Sequence, residues 1–161
     1  MKRARIVLAL AAAGLSLGGA GGCGSDATPG PACNTLRNDG PAVSVMASTA
    51  TAPAPAGGTI VDGTYVLTAA TGYAISPAVI PTTTLSAVMQ IAGSTMQQAG
   101  TINGEERRYT STLATSGTSV TTTDTCPAAD SNTYRYTATT TSLRIYAALG
   151  ASTLEQTYTK R

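Results

Sequence analysis

The chain contains no His, Trp or Phe and only three Cys in its 161 residues. Without His, the commonest general base and a preferred Zn or Cu ligand are both missing. Without Phe and Trp, the seven Tyr must supply the large core side chains or line a pocket. Charged residues make up 11% of the chain, well under the usual quarter or so of a globular domain. Ten basic residues face eight acidic ones. Three of the ten, Lys2, Arg3 and Arg5, crowd the first five positions, and removing them leaves seven against eight. No basic patch remains, which argues against a nucleic-acid partner.

Candidate chemistry is equally sparse. Ser and Thr are abundant, but a nucleophile needs a neighbouring base, and Lys160 is the sole Lys beyond the N-terminal three residues. Glu105-Glu106 precedes Arg107-Arg108. Adjacent residues of a strand point to opposite faces, so these carboxylates do not share a site and read as charges guarding a strand. Asp124, Asp130 and Asn132 form the densest set of oxygen ligands. Their spacing is not that of an EF-hand and no bidentate Glu follows, so they read as turn formers. No enzyme, metal site or cofactor is expected.

What is present points first to export. Lys2, Arg3 and Arg5 are followed by an apolar stretch from Ile6 to Leu17 and then by Gly18-Gly19-Ala20-Gly21-Gly22. The apolar stretch is short for a membrane span, which takes about 20 residues. Residues 1–22 read as a secretory signal peptide. Small residues leading into Cys23 resemble the lipobox of bacterial lipoproteins. That resemblance implies acylation of Cys23 and attachment to a membrane through an N-terminal lipid anchor. Gly24, where Asp would favour the inner membrane of double-membraned bacteria, leans toward the outer membrane or cell surface. The alternative is ordinary cleavage after Ala20, giving a soluble periplasmic or secreted protein. With Cys23 acylated, Cys33 and Cys126 are left as a pair for a disulfide in an oxidising compartment. Residues 23–32, rich in Gly, Pro and small polar residues, read as a tether.

Residues 33–161 read as one β domain with its core in 58–161. Val43-Ser44-Val45-Met46 is a candidate short strand, followed by a Pro/Gly-punctuated connector through Gly58. Short runs of β formers then alternate with turn signals. Leu85, Ala87, Met89 and Ile91 share a face, as do Tyr109, Ser111 and Leu113, and Tyr134, Tyr136 and Ala138. Asn103-Gly104 is a strong hairpin signal. The fold class is all-β, an antiparallel up-and-down meander of about eight strands, best closed as a barrel because open edges invite aggregation. The opening Asp62–Leu67, the late Tyr136–Ile145 and the closing Thr157–Arg161 resemble small lipocalin-like domains of bacterial lipoproteins. Tyr65 stands where lipocalins carry a Trp.

That resemblance implies a binding module for a small amphipathic ligand, with Tyr65, Tyr109, Tyr134 and Tyr136 as candidate lining residues. The alternatives are a structural or protein-interaction lipoprotein with a filled barrel, and a barrel-type inhibitor of an exported hydrolase. The expected partners are a membrane, through the lipid anchor, and either a small molecule or an envelope protein.

Overall fold

The computed structural model describes residues 33–76 and 83–161. The signal peptide, Cys23 and the tether lie outside the described residues. The described chain is all-β, with nine strands in a single sheet. They are β1 (Val43–Ser48), β2 (Gly63–Tyr73), β3 (Thr84–Ala92), β4 (Thr95–Ile102), β5 (Glu105–Ser116), β6 (Ser119–Cys126), β7 (Asp130–Ala138), β8 (Ser142–Leu149) and β9 (Ser152–Lys160). From β2 to β9 each strand pairs antiparallel with the next, and β9 returns to pair with β2. These eight are the strands that alternation picks out. The period-two pattern buries one face, and pairing of β9 with β2 closes the ring, although β7 and β8 pair only over Arg135–Ala138 and Leu143–Tyr146.

The ninth strand makes the ring uneven. β2 and β3 pair only over Gly63–Val66 and Val88–Ile91, then diverge. β1 fills the wedge, running parallel to Ala70–Tyr73 of β2 and antiparallel to Thr84-Leu85 of β3. A parallel neighbour requires a long crossover, and residues 49–62 supply it.

The β4–β5 hairpin turns on Asn103 (φ 51°) and Gly104 (φ 86°), both in the left-handed region that a two-residue hairpin loop demands. Inward-facing Tyr65, Leu67, Leu85, Met89, Ile91, Tyr136, Leu143, Leu154 and Tyr158 form the core. The outward Val88 is also fully buried, because the segment before β1 crosses the outside of the barrel. Cys33 is bonded to Cys126 at the end of β6, with Cα atoms 5.4 Å apart. The Asn34 side-chain amide donates to the carbonyls of Gln98 and Tyr109, at 3.1 and 2.7 Å. Arg108 donates to the carbonyls of Asn34 and Leu36. Asn38 donates to Ser86 Oγ at 2.7 Å, and Asp39 pairs with Arg161 at 2.8 Å. This strap therefore crosses from β6 over β5, β4 and β3 to the C-terminal end of the chain.

The connector after β1 does the corresponding job on the opposite side. At Gly57 it lies beside β7, exchanging hydrogen bonds with Tyr136 and Ala138. A Cβ at Gly57, which has φ +69°, would meet the Gly117 carbonyl oxygen at 2.5 Å, so only glycine permits this approach. The Tyr136 hydroxyl donates to Gly58 O, and Ile60 then packs against the core.

Candidate functional site

Every candidate tyrosine from the sequence faces inward, but the four do not converge. Tyr65 is buried in the core and donates its hydroxyl to Val61 O. Tyr136 is likewise buried and is tied to the connector. Tyr109 and Tyr134 line an interior cavity, together with Tyr158, Gln98, Ser111, Thr122, Asp124 and Gln156 on its polar side. Apolar side chains including Met89, Met96, Leu113 and Ile145 complete it. The cavity holds about 40 Å³, room for a few water molecules at most.

Asp124, read from the sequence as a turn former, is not in a turn. It lies on β6, 5% exposed, and accepts a 2.6 Å hydrogen bond from Ser111 on β5. Its inward direction follows from alternation with Val120 and Thr122, both buried. Asp130 pairs opposite it across the β6–β7 ladder, and Asn132 donates its amide to the Asp130 carboxylate rather than converging on a cation site. Glu105 and Glu106 keep to separate faces as expected, each paired two residues along its strand, with Arg107 at 2.6 Å and Arg108 at 2.7 Å.

Burial raises the Asp124 carboxyl above its ordinary value; the Ser111 hydrogen bond opposes the shift and the charge on Asp130 adds to it. Burial also pushes Tyr134 up to about 12, helped by the charges of Asp124 and Asp130. Tyr158, wholly enclosed, is raised further by burial, against a hydrogen bond from Gln98. A carboxyl whose folded pKa exceeds its unfolded one favours folding when protonated. Its contribution is complete below the unfolded value of 3.8 and is lost as pH rises through the folded value. Asp124→Asn, which keeps an acceptor for Ser111, is therefore expected to raise the melting temperature near neutral pH. The gain should vanish by about pH 3, where the native carboxyl is protonated in both states. Melting curves across that range check it; a gain independent of pH would show that charge burial is not the cause.

The outer surface carries a second hollow. Thr51–Pro55 of the connector and the outer faces of β2, β7, β8 and β9 enclose about 620 Å³, with Tyr73, Tyr146, Thr153, Thr133 and Arg135 among the lining side chains. The chain matches no family model, no curated protein and no solved structure. Geometry therefore carries the functional reading. Among the described residues, no group of three or more His, Cys, Asp or Glu is arranged to hold a metal, and no helix is long and apolar enough to cross a membrane. The Cys33–Cys126 disulfide indicates an oxidising, extracytoplasmic environment.

Proposed function

We propose that the chain is an exported, non-enzymatic envelope protein, lipid-anchored through Cys23, whose lipocalin-like barrel is a filled scaffold that presents its outer surface to other envelope components. The observation that carries this reading is the size of the interior. Pockets for small molecules run to about 300–1,000 Å³, whereas the cavity here is about 40 Å³. Tyr65, Tyr109, Tyr134, Tyr136, Tyr158 and the aliphatic faces occupy the space that a carrier barrel would leave to its ligand. The same size argues against catalysis by Ser111 and Asp124, since no substrate could reach them without the barrel opening. Export and lipidation rest on the N-terminal residues and are supported by the disulfide.

One observation favours a second reading, a carrier for a small amphipathic molecule. Tyr109, Tyr134, Ser111 and Asp124 bring hydroxyls and a carboxyl to one cavity wall, the mixed lining such a ligand would need. Native mass spectrometry of the exported chain separates the two. The scaffold reading expects the same protein mass before and after denaturation, apart from covalent lipid. An additional mass lost on denaturation would establish the carrier reading instead. The anchor is tested by fractionation: wild type should stay with membranes and Cys23→Ser should become soluble. Wild type found soluble would remove the lipoprotein part.

A further inference from the structure

We propose that the outer hollow between the Pro-rich connector and strands β7, β8, β9 and β2 is a binding site for an anionic saccharide, one bearing a carboxylate. This deepens the scaffold reading by naming what the outer surface holds. Its volume, about 620 Å³, lies within the range of ligand pockets and is far larger than that of the interior cavity.

The register of the sheet builds its floor. Arg135 on β7 is opposite Tyr146 on β8. With strands about 4.8 Å apart, a cation and an aromatic ring stand side by side in the lining. One step along, Ala148, Thr153 and Tyr73 make a parallel row. Pro53 and Pro55 form the facing wall. Rings and prolines offer apolar surface to the C–H face of a sugar, while Thr hydroxyls and charged groups meet its oxygen atoms.

Charge selects the class of sugar. Arg107, Arg108, Arg144 and Arg161 are each paired with a carboxylate. Arg135, exposed at the hollow, has no such pair among the described residues. An uncommitted guanidinium is suited to a planar carboxylate, which it can bind through two parallel hydrogen bonds. Glu155 is withdrawn from the lining: it is 6% exposed, and its Oε1 is engaged by Thr157 at 3.2 Å and Arg144 at 3.8 Å. Burial and the Glu155 carboxylate, which accepts its hydrogen bond, hold the neighbouring Tyr73 hydroxyl protonated, and its ring is what it offers to the hollow.

Calorimetric titration of the full exported chain with trigalacturonate and with neutral maltotriose tests the proposal. Tyr emission, free of any Trp, gives an independent readout. Trigalacturonate is expected to bind at least ten-fold more tightly than maltotriose at low salt. Arg135→Gln should abolish that preference, and Tyr73→Ala should weaken both sugars several-fold. No preference for the acidic sugar, or a preference that survives Arg135→Gln, would overturn the proposal. The scaffold reading fails separately, on an interior ligand found by native mass, and neither result decides the other.

Discussion

A Cys33→Ser/Cys126→Ser double variant is expected to lose about 4–5 kcal/mol of stability, measured from urea midpoints against the oxidised wild type. The disulfide joins residues 93 positions apart, so it closes the chain from β1 to β6 into one loop. In the chain-entropy account, the cost of opening such a loop in the unfolded state grows with its length. The other strap contacts cannot replace it. The two hydrogen bonds from the Asn34 amide, those from Arg108 and the one from Asn38 contribute on the order of 1 kcal/mol each. The exposed Asp39–Arg161 pair contributes less. Hydrogen exchange supplies the structural half of the result. In the variant, the strap amides and the outer face of β3 and β4 should lose protection before the inward-facing core does. A loss below about 1 kcal/mol would mean that the strap is held by its hydrogen bonds and that the crosslink is incidental.

The same strap marks where the sequence stops being informative. Leu85, Ala87, Met89 and Ile91 recur at period two in a run of β formers, with Ser86 and Gln90 between them, so β3 and its inward face could be read directly. Asn103-Gly104 fixed a hairpin because both residues tolerate positive φ. The cysteine pair was legible by elimination once Cys23 was assigned to the anchor. By contrast, Asn34–Gly40 has no period, and its long-range bonds reach residues 48 to 122 positions away. No local pattern encodes contacts of that range. β1 was visible as a short strand, but its parallel place between β2 and β3 was not, since parallel pairing leaves no turn signature. Asp124 was misjudged for a different reason. A carboxylate beside Cys126-Pro127 has the composition of a turn, and that outweighed its parity with Val120 and Thr122, which would have turned it inward. The outer hollow depends on where the connector crosses the outer faces of Arg135, Tyr146 and Thr153, which no local pattern records.

Tyr158→Ala is expected to cost about 3–5 kcal/mol, the usual penalty for removing a buried aromatic side chain. Tyr158 is 1% exposed, lies on β9 beside the closing strand β2, and borders the interior cavity. Its hydroxyl meets only a long 3.5 Å contact from Gln98, so Tyr158→Phe should cost about 1 kcal/mol or less. The difference between the two variants isolates the ring. Removing the ring also changes what the barrel can do. The cavity, about 40 Å³ in the native chain, would grow toward the roughly 150 Å³ at which an engineered apolar cavity takes up a benzene-sized guest. Denaturant melts of Tyr158→Ala with and without phenol should then show stabilisation by the guest, while wild type and Tyr158→Phe show none. Such a result would mean that this barrel differs from a carrier by the side chains that fill it, with Tyr158 occupying the ligand's place. No response to phenol, with the expected loss of stability, would mean that the walls collapse into the vacancy. The filling would then be a property of the sheet as a whole and not of one ring.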